Sequence, residues 1–446
     1  MKAEYDIVVI GFGKAGKTLA AKFSKAGKSV ALVEKDENMY GGTCINVGCI
    51  PSKRLITDAS KSPNGEFEKK AQYYKETIAE KKKLTAALRK ANYDKIAGAG
   101  VDIIDGMATF KDVHHIIVST KDKNVEIEAK KFIINTGSLT VIPDIEGVNS
   151  KGIYTSESIM NLDKLPKRLT IVGGGYIGLE FASMYADFGS KVTIVQDGDV
   201  FLPREDDDIA ESIREVLEAK GVEIVTGANV TKLEEGKLYY EVAKESKTLD
   251  SDVILLAVGR RPNTDGLGCE NAGVKLTDRG AVETDEHLKT SANNIWAAGD
   301  VCGKLQFTYI SLDDSRIIYD EIMGDDKRTT ENRGAFSYSV FINPPLSRVG
   351  MSEKDAKLAG VEYKVLSLSA NAIPKAKVLR KTDGMLKALV TSDGTVLGAA
   401  LFCEESYEMI NFIKLAMDHG IKARDIENFI FTHPTMSESL NDLFIM

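Results

Sequence analysis

Two of the five cysteines in this sequence stand with only four residues between them, in Gly41-Gly42-Thr43-Cys44-Ile45-Asn46-Val47-Gly48-Cys49-Ile50-Pro51-Ser52-Lys53. So close and so isolated a pair reads as a dithiol that switches between two thiols and a disulfide, passing two electrons. In a regular helix, Cα atoms five residues apart are roughly 8.6 Å from each other, beyond the ~7 Å reach of a disulfide. Closing the bond therefore requires a loosened first turn, which Gly41, Gly42 and Gly48 permit. A distorted bond is also easier to reduce. Two buried structural cysteines are the other reading, and the spacing by itself does not choose. Metal binding is weaker, because two thiolates need two further ligands. The five histidines (114, 115, 287, 419 and 433) supply no zinc-type spacing, so no metal ligands are assigned. His114 and His115 precede the apolar run Ile116-Ile117-Val118 and read as the start of a strand.

The elements around the dithiol point to chemistry. A strand-like Asp6-Ile7-Val8-Val9-Ile10 runs into Gly11-Phe12-Gly13-Lys14-Ala15-Gly16, then a helix, then a second strand ending on Glu34. This is a dinucleotide-binding βαβ unit. Gly11, Gly13 and Gly16 let the backbone approach a pyrophosphate, and Glu34 accepts hydrogen bonds from a ribose. The pattern recurs as Leu169–Val172, then Gly173, Gly175 and Gly178, a helix through Tyr185, and the strand Lys191–Val195. Two cradles imply two dinucleotides, a bound flavin and a diffusing nicotinamide, with hydride passing between them. The second strand ends on Gln196 where an acidic residue is usual, and no arginine cluster follows. NADH and NADPH both stay open.

With 446 residues, 43% of them apolar, the chain has room for several domains with full cores. A formal charge of −8 argues against a nucleic-acid binder. No apolar run reaches the ~18 residues of a membrane span. The first strand begins at once, which leaves no room for a leader and implies a cytoplasmic protein. In a reducing compartment a close cysteine pair is more often catalytic than structural. Cys269, Cys302 and Cys403 are dispersed and read as structural. The lysine-rich stretch Glu66–Lys95 reads as a helix with a solvated charged face.

These motifs resemble the class I pyridine nucleotide–disulfide oxidoreductases, which include glutathione reductase, lipoamide dehydrogenase and mercuric reductase. The resemblance extends over Ile134-Asn135-Thr136-Gly137-Ser138, Ala257-Val258-Gly259-Arg260-Arg261-Pro262-Asn263, Ile295-Trp296-Ala297-Ala298-Gly299-Asp300 and Thr432-His433-Pro434-Thr435-Met436-Ser437-Glu438. It implies an α/β fold: two Rossmann-like domains for FAD and NAD(P), plus an α+β C-terminal dimerisation domain. The implied boundaries are 1–147 and 276–332 for the flavin, 148–275 for the nicotinamide and 333–446 for the interface. Asp300 inherits contact with the flavin's ribityl chain. Gly42, Thr43, Thr136 and Gly137 join the flavin site, and Gly259 the nicotinamide site. His433 becomes the acid/base and Glu438 its orienter, reaching the dithiol of the partner subunit in a homodimer. Lys53 and Glu180 match positions that pair beside the flavin.

Departures narrow the choice. There is no leading heavy-metal domain and no cysteine pair at the end, as mercuric reductases and the larger thioredoxin reductases have. Both dithiol cysteines are present, unlike coenzyme A disulfide reductases. Lys14 and Lys17, Leu305–Arg316, Asn343–Gly350 and Pro434–Phe444 look like the bacterial reactive-chlorine-resistance flavoproteins. That group implies a small-molecule oxidant, hypothiocyanous acid, reduced with electrons from NADPH or NADH. The alternatives are a copper(II) or metal-ion reductase, a disulfide reductase or dihydrolipoamide dehydrogenase, and a non-enzymatic redox sensor.

Overall fold

The computed structural model describes residues 3–446. The run Glu4–Ile10 forms the central strand of a seven-stranded sheet, with Val30–Glu34 and Asn124–Ile134 parallel to it on either side. Strands covered on both faces are apolar throughout rather than alternating, and Val8, Val9 and Ile10 are all buried. Asn124–Ile134 changes neighbours midway. Its first half pairs antiparallel with His115–Ser119, and its second half lies parallel to Ile295–Ala297. That last strand brings the chain back to the first unit after the second is complete.

The second unit is a parallel sheet ordered Val222–Val225, Lys191–Val195, Arg168–Val172, Val253–Leu256 and Ile153–Thr155. Ser138–Thr140 and Arg260–Pro262 pair as the crossing between units. The C-terminal unit is a five-stranded antiparallel sheet, Ser337–Val340, Leu346–Gly350, Val396–Phe402, Met385–Val390 and Lys364–Ser369. The α/β architecture with a separate α+β unit is the expected one. Among the described residues no helix is long and apolar enough to cross a membrane.

The lysine-rich stretch is a helix, Phe67–Ala97. Its inner face packs Tyr74 edge-on against Phe188, with the Tyr74 and Tyr185 hydroxyls 2.9 Å apart. Lys81 departs from the expected solvated face: it is buried and donates to Asn161 Oδ1 at 3.0 Å. Burial lowers its pKa to about 8.

Charged groups clamp the second unit to the C-terminal one. Lys387, fully buried, donates to Asp208 at 2.8 Å and also to Glu353, with Asp206 at 3.3 Å. These three carboxylates lie close enough together to hold a metal ion, but the Lys387 ammonium is already their counter-charge. Lys387→Met therefore removes the shared counter-charge of three clustered carboxylates, of which Asp206 is buried. The loss should be about 2 kcal/mol, below the roughly 3–5 kcal/mol for a fully buried pair, because Asp208 is 45% exposed. Thermal unfolding of the holoenzyme should show a lower midpoint; an unchanged midpoint would contradict the clamp.

Candidate active site

The dithiol lies across a break between two helices. Thr43–Asn46 carries Cys44, and Cys49–Ala59 begins on the second cysteine. The loosened turn expected from the spacing is Val47-Gly48, and Gly48 belongs there because a Cβ would fall 3.0 Å from the Thr43 carbonyl oxygen. Both thiols are free, and Cys49 is exposed to the cleft. Thr308, at the start of the helix Thr308–Met323, places its hydroxyl 3.5 Å from Cys49 Sγ. One turn after Cys49, Lys53 Nζ donates to Glu180 Oε2 at 2.6 Å and lies 4.9 Å over the Phe341 ring. Glu180 Oε1 accepts from the Phe341 backbone N–H at 2.9 Å. The expected Lys53–Glu180 pair thus ties the dithiol helix to the other two units.

The sulfurs are electrostatically unequal. Cys49 is lowered to about 6 by the hydrogen bond from Cys44; partial desolvation by the cleft walls opposes this, while the Thr308 hydroxyl and the Lys53 charge assist. Cys44 is driven upward by that same hydrogen bond and by its own burial. Reduced, the pair is a Cys49 thiolate held by a Cys44 thiol.

The first cradle sits directly behind the dithiol. Gly11, at φ +102°, is pressed so close to Asn135 that a Cβ would fall 2.3 Å from its carbonyl oxygen. Asn135 Oδ1 accepts from Gly16 N–H at 2.8 Å, and Ser311 Oγ from Ala15 N–H at 3.2 Å. Glu34 is buried at the strand end and accepts from Phe12 N–H at 2.9 Å. Asp300 lines the cleft and accepts from Ser138 at 2.7 Å; burial raises its pKa. Thr136 donates to Asn263 O at 2.6 Å, and Gly13, Gly42, Thr43 and Gly137 line the same cleft. A glycine-lined backbone cradle with the buried Glu34 carboxylate and the half-buried Asp300 carboxylate fits FAD.

In the second cradle Gly173 and Gly178 pack on each other, while Gly175 and Gly259 line the cleft. No atom lies within 4 Å of where a Gly175 Cβ would be, which leaves its backbone open to a phosphate. Gln196 differs from Glu34. Its amide group donates to Gly198 O at 2.8 Å and Val200 O at 3.0 Å, and its oxygen faces Gly174. Tyr176 lines the cleft and donates to the buried Glu205 at 2.6 Å. The connected cleft has a volume of about 2370 Å³ and joins both cradles through the dithiol.

His433 and Glu438 meet as expected, Nδ1 to Oε2 at 2.8 Å, and Glu438 Oε1 accepts from Thr435 N–H at 3.2 Å. The single chain does not bring them to the dithiol. His433 is 73% exposed and lies outside the cleft, near the exposed Phe429 and Ile430. Thr308, Asn135, Ser311, Tyr176 and Glu205 were not singled out as site residues from the sequence. Thr308 and Ser311 lie within the distinctive Leu305–Arg316 segment, the one signal that pointed toward them.

Residues 5–315 match the pyridine nucleotide-disulphide oxidoreductase model, and residues 336–444 match that family's dimerisation domain. The chain belongs to this family. Its members are flavoproteins that use FAD and NAD(P)H, and the present enzyme carries both cradles. It is 48% identical over 99% of its length, and 99% of the relative's, to the probable pyridine nucleotide-disulfide oxidoreductase RclA of Escherichia coli strain K12. Mercuric reductase of Staphylococcus aureus and dihydrolipoyl dehydrogenase of Geobacillus stearothermophilus are each 34% identical over 98% of this chain, covering 81% and 94% of those proteins. Among solved structures, the HOCl-induced flavoprotein disulfide reductase RclA from E. coli superposes with a TM-score of 0.93 at 47% identity, covering 99% of both chains. Its Cu(II) complex superposes at 0.94 with the same identity, covering 100% of this chain and 99% of the other.

The oxidoreductase's thiol asymmetry sets a pH dependence. A lowered pKa keeps Cys49 as thiolate above about pH 6, so its reactivity disappears as pH falls through that value. Cys44→Ala removes the largest cause and should move the midpoint upward toward the ordinary range near 9.0. Thr308→Val should move it in the same direction but less. Mass-spectrometric rates of iodoacetamide labelling at Cys49 across pH would measure both; no movement in Cys44→Ala would contradict the hydrogen-bond account.

Proposed function

We propose that this enzyme uses NAD(P)H and its Cys44–Cys49 dithiol to reduce hypothiocyanous acid to thiocyanate and water, in cytoplasmic defence against reactive chlorine. The observation that carries the reading is the full-length likeness to an HOCl-induced flavoprotein disulfide reductase. The unequal dithiol supports it, because a small electrophilic sulfur needs an attacking thiol and a resolving thiolate rather than a large binding surface.

When bound, FAD supplies two-electron exchange between the nicotinamide and the disulfide; Gly11, Gly13, Gly16, Glu34 and Asp300 would hold it. The chain's own sulfurs then do the rest. His433 of the partner subunit takes the Cys44 proton, with Glu438 of the partner subunit fixing the ring and stabilising its charge. Cys44 sulfur attacks the sulfur of hypothiocyanous acid and the S–O bond breaks. The departing hydroxide takes the proton back as water. Cys49 thiolate next attacks Cys44 sulfur, forming the disulfide and releasing thiocyanate. One thiol, one thiolate and hypothiocyanous acid become a disulfide, thiocyanate and water, so protons and electrons balance.

The substrate is tested by reducing the enzyme anaerobically with NADH or NADPH, then mixing it with hypothiocyanous acid, oxidised glutathione, lipoamide or copper(II) in a stopped-flow instrument. Hypothiocyanous acid should reoxidise it fastest; a rate no better than the others would overturn the assignment. The shared site is tested by mixing Cys44→Ala and His433→Ala subunits, each inactive alone. In a two-fold dimer, random mixing should restore about a quarter of the wild-type activity, because each mixed dimer has one complete site. No restoration would mean that His433 does not act across subunits.

A second reading is copper(II) reduction, favoured by the Cu(II) complexes solved for RclA and for a cysteine-to-serine mutant of it. Copper reduction that survives Cys44→Ser here would place that chemistry away from the dithiol.

A further inference from the structure

The two cradle lysines diverge in the structure. Lys14 lines the cleft, whereas Lys17, one turn further along the helix Lys14–Lys25, is only 9% exposed. Its Nζ donates to Gly41 O at 3.0 Å and to Asn92 Oδ1 at 2.7 Å. Gly41 and Gly42 form the left-handed turn, at φ +98° and +81°, that leads into the short helix carrying Cys44. Lys17 therefore joins three elements: the nucleotide helix, the turn before the attacking cysteine, and the long helix Phe67–Ala97.

Both hydrogen-bond partners are neutral, and burying a cation against neutral groups costs free energy. Burial lowers Lys17 to about 8; Lys14 and Lys95 push the same way, and Cys44 alone opposes them. A methionine would fill this helix position without the desolvation cost. A charge retained there makes sense if an opposite charge arises nearby during turnover. Cys44 is the sulfur that must become anionic to attack, and the hydrogen bond to Cys49 and burial resist this, whereas Thr308 and Lys17 favour it. The other charged groups facing the dithiol, Lys53 and Glu180, act on Cys49. Arg89 binds Asn46 in the Cys44 helix at 2.9 Å.

We propose that Lys17 is a positioning residue for Cys44: it fastens the Gly41 turn to the long helix and holds a buried positive charge at the turn that leads into the Cys44 helix, favouring the thiolate of that cysteine. The proposal rests on Cys44 being the attacking thiol. Its test reads the sulfur directly, so a wrong oxidant would leave the result standing.

Reduced wild-type and Lys17→Met holoenzymes are pulsed with iodoacetamide across pH, and Cys44 and Cys49 adducts are counted separately by mass spectrometry. At neutral pH, Lys17→Met should label Cys44 about tenfold more slowly, the change for one unit of thiol pKa. Cys49 labelling and flavin content should stay close to wild type, and Lys17→Arg should recover part of the Cys44 rate. An unchanged Cys44 rate, or equal slowing of both sulfurs, would overturn the proposal. Should Lys17→Met fail to fold or to hold flavin, Asn92→Asp decides the matter. A carboxylate beside the ammonium offsets its charge while still accepting its hydrogen bond, so slower Cys44 labelling supports the role and an unchanged rate refutes it.

Discussion

The site depends on one contact, the backbone of the dithiol turn against the backbone of the first nucleotide cradle. A Cβ on Gly42 would fall 2.8 Å from the Cα of Gly13, so the two segments approach too closely to admit a side chain between them. That contact sets where the Cys44 helix begins. It also places Cys49, a few residues on, beside the cleft that joins the two cradles. Thr308, Lys53 and Glu180 then tune a sulfur whose position is already fixed.

The tuning is asymmetric because the two cysteines share one hydrogen bond in opposite roles. The acceptor becomes the better anion and the donor the worse one. A dithiol with two equal sulfurs would have no preferred order of attack and resolution. Here the neighbours make the two sulfurs unequal: the Lys53 charge acts on Cys49, while Cys44 lies beyond the turn held by Lys17.

Much of this was legible in the sequence because it is local. The cradles are strand–glycine–helix runs of contiguous residues, and the dithiol, Lys53, and the His433–Glu438 pair lie within short motifs. Strand limits followed from apolar runs such as Val8-Val9-Ile10. What was not legible arises where distant segments meet. Asn135 is singled out only because it packs under Gly11 and bonds Gly16, and Thr308 only because its helix starts beside Cys49. Gln196 is read from its type as a ribose partner, and the backbone of its own loop takes its amide hydrogens while its oxygen stays beside Gly174. Lys81 looks like an ordinary surface lysine until the packing buries it, and Lys17, distinctive in type, gives no sign in the sequence of being buried.

The hydroxyl that assists Cys49 lies 259 residues further along the chain, and the carboxylate paired with Lys53 lies 127 further on. A chain still emerging from the ribosome therefore carries Cys44 and Cys49 before either group has been made. During synthesis the pair lacks much of the environment that sharpens its reactivity. Redox competence is thus acquired late, when the return of the chain to its first sheet closes the site around two sulfurs made near the start.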